Sequence, residues 1–221
     1  MTDPGYSITD GVLSNAECDD LIDSLTDLGQ RRGRAGARHL MSHADIRDLA
    51  SDSRLLNLAE KSLGRKVVPY RATLFEKSGK ANWLVVWHQD TALPLQSKIE
   101  SEEWGPWSTK TGALYAHAPS WALDRVVALR VHLDASTEDN GPLRIIPETH
   151  KLGVLTDGEI FSLARQLQSA QCIVKRGGVM AMRPLLIHSS SKAKVDSYRR
   201  VLHIEYADCL EFNPGVQLAV T

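Results

Sequence analysis

The sequence after residue 67 breaks into short apolar runs separated by turn residues, and this pattern constrains the fold more than any other feature. Runs rich in Val, Ile and Leu between Gly, Pro and Asn are typical of antiparallel sandwiches and barrels. Asn140-Gly141 and Gly177-Gly178 supply two of the turns. The expected strands are residues 67–76, 84–90, 126–134, 143–146, 171–174, 179–182, 185–188 and 200–206. The chain is therefore predicted to be mainly β.

Helices are expected mainly before this β-rich region. Ser14 and Glu17 match the capping box, in which a hydroxyl and a carboxylate satisfy backbone N–H groups at a helix start. The apolar face of the first helix comprises Leu21, Ile22, Leu25 and Leu28, and Gly29 offers its end. Further helices are expected at 53–63, ended by Gly64, and near 157–170. We predict a single domain, with a helical support at 1–64 and a β core at 65–221.

Composition limits the classes of partner. The chain has 221 residues, 43% of them hydrophobic, which is enough for one core without a metal or a disulfide. Lys and Arg number 26 against 27 Asp and Glu, so the net charge of −1 provides no broad positive field. We therefore expect neither nucleic acid nor an anionic membrane as a partner.

The cysteines and the N-terminal sequence bear on location. Cys18, Cys172 and Cys209 are the only cysteines and show no CxxC spacing, so no disulfide framework is expected. The N-terminal sequence lacks the pattern of a signal peptide, and no apolar stretch approaches the ~20 residues of a transmembrane helix. These features favour a cytoplasmic protein, and they leave the oligomeric state open.

His88 and Asp90 form the most informative motif, at the end of the apolar run WLVVW. Because side chains alternate across a strand, both point to one face while Gln89 points away. His188 ends another apolar run and is the best candidate for a third ligand. Two histidines and one carboxylate form the facial triad of non-haem Fe(II) oxygenases. Zinc bound by the same three residues and water is the alternative.

Arg199 and Arg200 follow His188 at the start of the last long strand and bear on the choice of metal. A guanidinium grips a carboxylate with two hydrogen bonds, so an arginine here suits a cosubstrate that carries a carboxylate. Ser190 could add a hydroxyl donor. Simple alternation places Arg200 on the more apolar face of its strand, which leaves open which arginine acts.

Four segments in order, WHQD, NGPLRIIPETHKLG, RPLLIHSSS and YRRVLHIEYA, resemble the phytanoyl-CoA dioxygenase family of Fe(II)/2-oxoglutarate oxygenases. The resemblance covers nearly the whole chain. It implies a double-stranded β-helix (jelly roll, cupin-like) core with flanking N-terminal helices. It also implies Fe(II), the cosubstrate 2-oxoglutarate and O2. The sequence departs from the family at Glu148-Thr149, where relatives commonly have Gly-Ser, which affects a loop conformation.

By this resemblance, His88, Asp90 and His188 correspond to the iron ligands. Arg199, eleven positions after His188, corresponds to the arginine that binds the distal carboxylate of 2-oxoglutarate. Ser190 corresponds to a serine that contacts the same molecule, and Arg200 is kept as the second choice of arginine. Related halogenases lack the carboxylate ligand, so the intact triad implies hydroxylation, desaturation or ring formation.

Residues 97–119 show no clear period and are expected to form an irregular lid or binding loop. Trp104, Trp107 and His117 within it either line the substrate site or pack the lid down. The sequence alone leaves both possibilities open.

Basic residues bear on the charge of the substrate. Arg71 and Arg130 lie on strands that often line the cosubstrate pocket in relatives, and each faces either the site or solvent. The loop 31–38 carries four arginines and either closes over an anionic ligand or is a solvated connector. We expect a small-molecule substrate with anionic character.

The expected function is that of a dioxygenase that hydroxylates an aliphatic carbon of this small molecule, with release of succinate and CO2. One alternative is a metal-dependent hydrolase or isomerase that uses the same three ligands. Another is a non-catalytic jelly-roll module that binds a ligand. Only the first of these consumes O2 and 2-oxoglutarate.

Overall fold

The computed structural model describes residues 3–26, 36–78 and 81–221. Its strands form antiparallel sheets, and helices from the N-terminal part cover one face of the largest sheet. The prediction of a mainly β, double-stranded β-helix fold with flanking N-terminal helices is confirmed. Within the three described ranges, no helix has the length and apolar character needed to cross a membrane.

The larger sheet has six strands. From edge to edge they are β1 (Tyr6–Thr9), β11 (Val179–Met182), β8 (Val126–His132), β13 (Arg199–Ala207), β3 (Val68–Lys77) and β2 (Gly36–Ala37). The first 64 residues, expected to be a helical support, thus also supply both edge strands. The sequence did not indicate these two strands, because β2 is only two residues long and β1 carries only one large aliphatic side chain.

The smaller sheet has four strands. In order they are β10 (Ala170–Cys172), β9 (Leu143–Ile145), β12 (His188–Ser190) and β4 (Val85–His88). The strand expected at 185–188 was wrong in position, because β12 begins only at His188. The apolar run before it forms a turn whose side chains Leu185, Leu186 and Ile187 each enter a different apolar cluster.

Two small sheets complete the strands. One contains β5 (Ala92–Leu95), β6 (Trp107–Lys110) and β7 (Ala113–His117), and the other contains β14 (Glu211–Asn213) and β15 (Val216–Gln217). The prediction that 97–119 is irregular was therefore wrong for most of its second half. The sequence WSTK of β6 carries one large apolar residue, so the hairpin shows no clear alternation.

The helices are α1 (Asn15–Thr26), α2 (Ala44–Ala50), α3 (Ser53–Leu63), α4 (Ser120–Leu123) and α5 (Asp157–Gln166). The predicted capping box is present, since the Ser14 N–H donates to Glu17 Oε2 at 2.7 Å and the Glu17 N–H donates to Ser14 Oγ at 3.2 Å. Helix α3 has the predicted bounds and ends at Gly64. Leu28, Gly29 and most of the basic loop 31–38 lie outside the described residues.

The apolar face of β13 packs outward. Leu202, Ile204 and Tyr206 join the core that α1, α2 and α3 form on the outer face of the larger sheet. Because side chains alternate along a strand, Arg199, His203 and Glu205 face the space between the two sheets. The interior of this jelly roll is therefore lined by charged side chains on one wall.

Candidate functional site

Three side chains converge at one edge of the smaller sheet. His88 ends β4, Asp90 lies two residues on, and His188 begins β12 directly opposite His88. The Nε2 atoms of His88 and His188 lie 3.6 and 3.5 Å from the two carboxylate oxygens of Asp90. The potential ligand atoms all lie within 4.8 Å of one another, a spacing that a single metal ion can occupy.

Backbone carbonyls orient both imidazoles. Nδ1 of His88 lies 2.8 Å from the carbonyl oxygen of Val86, and Nδ1 of His188 lies 2.8 Å from that of Leu186. A carbonyl oxygen can only accept, so each Nδ1 carries a proton, and in the neutral imidazole each Nε2 keeps its lone pair. Both lone pairs are thus available to a metal beside Asp90, which is the usual arrangement of metal-binding histidines.

The charge states at the triad also suit a cation. Burial opposes ionisation of Asp90, but His188 and His88 hold the pKa of this carboxyl well below its ordinary value. Burial lowers the pKa of His188 to about 4, so this imidazole is neutral near pH 7. Burial lowers the pKa of His88 and Asp90 raises it, with a net upward shift. A metal ion binding here meets a ready carboxylate and displaces at most the proton on His88.

Gln89 points away from the triad and fixes the turn that holds it. Its Nε2 donates to the carbonyl oxygens of Gly153 and Leu185 at 2.9 and 2.8 Å, and its Oε1 accepts from the Leu155 N–H at 2.9 Å. The amide is therefore fully bonded at a buried position. These bonds join the ligand turn to two other loops.

A cationic pocket lies between the sheets beside the triad. Lys77, Ser190 and Arg199 line it from β3, β12 and β13, and all three are buried. The Lys77 Nζ donates to Ser190 Oγ at 2.7 Å. The Nε atoms of Arg199 and Arg130 are buried and have no hydrogen-bond partner within the described part of the chain. The pocket offers a hydroxyl and several unused donors to a small anion.

Within the described residues, no carboxylate forms an ion pair with Arg199 or Lys77, and neighbouring cations repel both. Burial and the neighbouring Arg130 lower the pKa of Arg199 to about 9. Burial, Arg199 and Arg130 together lower the pKa of Lys77 to about 7. A dicarboxylate entering this pocket would relieve both the repulsion and the unpaired donors.

Gly141 allows the wall of this pocket to close. Its carbonyl oxygen accepts a hydrogen bond from Ser190 Oγ at 2.9 Å, and its φ of 69° is left-handed. A Cβ at this position would lie 2.4 Å from the Ser191 carbonyl oxygen. The turn predicted at Asn140-Gly141 is therefore part of the pocket as well as a connection between strands.

The larger sheet separates the two neighbouring arginines. Arg200 lies on the outer face, where its Nε and one terminal nitrogen donate to the Asp134 carboxylate at 2.7 and 2.9 Å. Arg199 lies on the inner face with Lys77 as its cross-strand neighbour. Strand alternation predicted correctly that Arg200 shares a face with Leu202, Ile204 and Tyr206. That face packs against the N-terminal helices, so Arg200 does not face the space between the two sheets.

Two further polar pairs line the inner face of the larger sheet. Arg71 Nε lies 3.0 Å from Glu205 Oε2, and a terminal nitrogen of Arg130 lies 3.2 Å from His203 Nδ1. Arg71 and Arg130, whose orientation the sequence left open, thus both face the interior. Burial raises the pKa of Glu205 to about 7, although Arg71 opposes the shift. His203, which the sequence suggests is a hydrogen-bonded structural histidine, does contact Arg130. Sequence reasoning missed Lys77 and Glu205. Lys77 lies six residues after Arg71 and Glu205 lies two after His203, so strand alternation groups each with a residue of this face.

The lid residues have mostly packing roles. Trp104 is 4% exposed and meets Trp121 edge to face, with ring centroids 6.1 Å apart. Trp107 packs against the same apolar cluster, so both tryptophans hold the lid down rather than line the pocket beside the triad. His117 is exposed, and its Nδ1 lies 2.7 Å from Thr91 Oγ1. It ties the lid to the residue after Asp90.

Comparisons with known proteins agree with this geometry. A family model described as phytanoyl-CoA dioxygenase matches residues 1–201. No curated protein sequence matches the chain significantly.

Solved structures with similar folds include AviO1 from Streptomyces viridochromogenes Tue57, at 23% identity, with 98% of this chain and 93% of that chain covered and a TM-score of 0.67. EctD from S. alaskensis with 2-oxoglutarate and 5-hydroxyectoine is 20% identical over 92% of this chain and 72% of that one, with a TM-score of 0.69. The 2-oxoglutarate-dependent epimerase SnoN from nogalamycin biosynthesis is 19% identical over 93% and 78% of the respective chains, with a TM-score of 0.68. At these identities the similarity shows a shared fold.

Proposed function

The chain belongs to the phytanoyl-CoA dioxygenase family, and from this premise we propose that it is a non-haem Fe(II)/2-oxoglutarate-dependent dioxygenase acting on a small molecule. The observation that carries the proposal is the placement of the His88, Asp90 and His188 triad beside a buried cationic pocket. A metal site alone would fit a hydrolase equally well. A metal site beside unpaired buried cations fits a metal-chelating dicarboxylate.

The donor set fits Fe(II). Two imidazole nitrogens and one carboxylate on one side of an ion leave the other positions for cosubstrate and oxygen, which is the pattern of Fe(II) oxygenases. The bound metal would couple oxidative decarboxylation of 2-oxoglutarate to oxidation of the substrate. The protein holds the metal through His88, Asp90 and His188, whose orientations the backbone and Gln89 fix before any ligand binds.

The cationic pocket fits 2-oxoglutarate. Arg199 would bind the distal carboxylate with its guanidinium, and Lys77 and Ser190 would each donate one further hydrogen bond. Arg130 contributes positive charge from the adjacent strand, where His203 holds its guanidinium. Binding of a dianion in this pocket would neutralise positive charges that have no ion-pair partner among the described residues.

The reaction proposed is hydroxylation of an aliphatic carbon. In it, substrate, 2-oxoglutarate and O2 give hydroxylated substrate, succinate and CO2. The carboxylate ligand Asp90 is present, whereas the related halogenases lack it. Because one solved structure of similar fold is an epimerase, the mass of the product must decide the reaction type.

The test is an anaerobic reconstitution with Fe(II) and 2-oxoglutarate, followed by exposure to O2 and a panel of small metabolites. We expect O2 consumption coupled to succinate formation and a product heavier than its substrate by one oxygen atom. A product of unchanged mass would instead indicate epimerisation. The His88→Ala variant should lose iron-dependent succinate formation. Consumption of neither O2 nor 2-oxoglutarate would favour the hydrolase, isomerase or ligand-binding alternatives.

A further inference from the structure

A second group of basic side chains lies where the lid sheet meets the edge of the larger sheet. We call Arg38, His39, Lys110 and Tyr115 the mouth cluster. Lys110 Nζ lies 5.0 Å from the centroid of the Tyr115 ring, and His39 Nε2 lies 3.1 Å from Tyr115 Oη. The guanidinium of Arg71, on the inner face of β3, lies 5.2 Å from the same ring. The ring of Tyr115 therefore links Lys110 to the interior of the jelly roll.

A cleft of about 990 Å³ opens beside the mouth cluster. Its lining includes Arg38, His39 and Thr111, together with Thr73, Leu74 and Phe75 of β3. Thr73 and Phe75 alternate with the outward Leu74, so they lie on the same inner face as Arg71. The cleft therefore extends from Arg38 to the edge of β3, where Thr73 and Phe75 share a sheet face with Arg71.

The basic side chains of the mouth cluster have no counter-ion of their own in the described part of the chain. Neither Lys110 nor Arg38 forms an ion pair with a residue in 3–26, 36–78 or 81–221. Asp90 and Glu205 are the acidic groups whose charge favours the protonated form of Lys110. Both are already engaged, Asp90 by two imidazoles and Glu205 by Arg71. Burial, Arg71 and Arg38 all lower the pKa of Lys110, which is the effect expected of clustered cations.

Backbone strain coincides with this cluster. His39 and Thr111 have φ values of 59° and 49°, and among the described residues only one other non-glycine residue has a positive φ. Thr111 and Gly112 form the two-residue turn between β6 and β7, and such a turn requires a positive φ at both positions. The strain that the hairpin does not explain is therefore that of His39, and strained backbone of this kind concentrates at ligand-binding sites. Both residues line the cleft, and both are sequence neighbours of a basic side chain of the cluster.

We propose that Lys110 and Arg38 bind an anionic group of the substrate, a carboxylate or a phosphate, while another part of the same molecule faces the metal site. This substrate class rests on the proposed oxygenase function. The cationic pocket at Arg199 takes the cosubstrate, and the mouth cluster provides a separate anion site. Arg71, which lies over the Tyr115 ring, and Lys77, the cross-strand neighbour of Arg199, are at opposite ends of the inner face of β3. A substrate bound through its charged end would present a nearby carbon to the metal.

The test is a calorimetric titration of the full chain saturated with Ni(II) and 2-oxoglutarate. Three probes are compared in a buffer of low salt concentration. They are phenyl phosphate, phenylacetate and the neutral phenylacetamide. We expect at least one anion to bind more tightly than the amide, and the stronger of the two anions identifies phosphate or carboxylate. Lys110→Gln should weaken this binding about tenfold, the typical value of one charge-assisted hydrogen bond. Lys110→Arg should retain most of it.

Lys175→Gln is the matched control, because Lys175 is 82% exposed and pairs on the surface with Asp10, and its loss changes the net charge equally. It should leave the affinity of the anion unchanged. The proposal is overturned if neither anion binds more tightly than the amide, if both glutamine variants weaken binding equally, or if excess 2-oxoglutarate displaces the probe. A protein that binds 2-oxoglutarate but no probe anion would refute this inference and keep the proposed function. A protein that fails to bind 2-oxoglutarate would refute the proposed function instead.

Discussion

Neighbouring arginines on β13 face opposite sides of one sheet. Arg199 faces the interior without an ion-pair partner within the described residues, whereas Arg200 donates two hydrogen bonds to Asp134 outside it. The two side chains carry the same charge and differ by one position. Their exchange of roles would require the whole strand to shift its register by one residue.

Substitution of each arginine by glutamine should separate these roles. Arg199→Gln should weaken 2-oxoglutarate binding to the Ni(II)-loaded protein about 100-fold, because two charge-assisted hydrogen bonds are worth about 3 kcal/mol. Arg200→Gln should change the Kd less than about threefold, and its loss of the Asp134 pair should cost about 1 kcal/mol of unfolding free energy. Titration calorimetry measures both Kd values. A larger effect at position 200 than at 199 would contradict the assignment.

Lys77 should gain a proton when 2-oxoglutarate binds. Burial, Arg199 and Arg130 lower the pKa of its ammonium to about 7 in the free protein, so at pH 8 most of the side chain is neutral. A bound carboxylate favours the charged form and raises this pKa, so binding at pH 8 takes up protons from the buffer. Calorimetry in two buffers of different ionisation enthalpy measures this uptake. It should disappear in Lys77→Met, and equal enthalpies for the wild-type chain in both buffers would refute it.

At the scale of elements, strands that are apolar runs bounded by turn residues were predicted well. Strands β8, β11 and β13 lie within two residues of their expected bounds, and α3 matches its expected bounds. The sequence did not reveal the lid hairpin, because Trp107 is the only large apolar side chain in β6. It misplaced β12, because an apolar run that enters three clusters from a turn has the same composition as a buried strand.

Glu148, one of the two positions at which the sequence departs from the common Gly-Ser of the family, has a strained backbone. Its φ of 67° is left-handed, a conformation that costs a non-glycine residue about 1 kcal/mol or more. Glu148→Gly removes this cost, but glycine also gives the unfolded chain more conformational entropy, which opposes the gain. The net effect should be a rise of about 0.5 kcal/mol in the free energy of unfolding. The ion pair of Glu148 with Lys151 is exposed and contributes little.

Thermal unfolding of this variant should give a Tm about 1–2 °C higher. Gly11→Ala provides the reverse comparison, because Gly11 has a φ of 66° and open space around it. This variant should be less stable than the original chain. A destabilised Glu148→Gly chain would show that contacts of the glutamate outweigh its backbone strain.

At the scale of the whole molecule, the triad was predictable while much of the site was not. The spacing of two between His88 and Asp90 follows directly from strand geometry, and His188 ends an apolar run that leads to the same sheet edge. Lys77, Glu205 and the mouth cluster depend on which face of the larger sheet the helices cover. Packing between distant parts of the chain determines which face is covered. The sequence around a charged residue at a strand end therefore does not indicate whether that residue is buried.

The central claim is that the triad and the cationic pocket act on one metal-bound dicarboxylate. The most direct measurement is anaerobic titration of 2-oxoglutarate into the protein with Fe(II) bound and after its removal by a chelator. We predict that one equivalent binds tightly with iron and at least about tenfold more weakly without it, because the metal and Arg199 hold opposite ends of the molecule. Equal affinity in the presence and absence of iron would contradict the account.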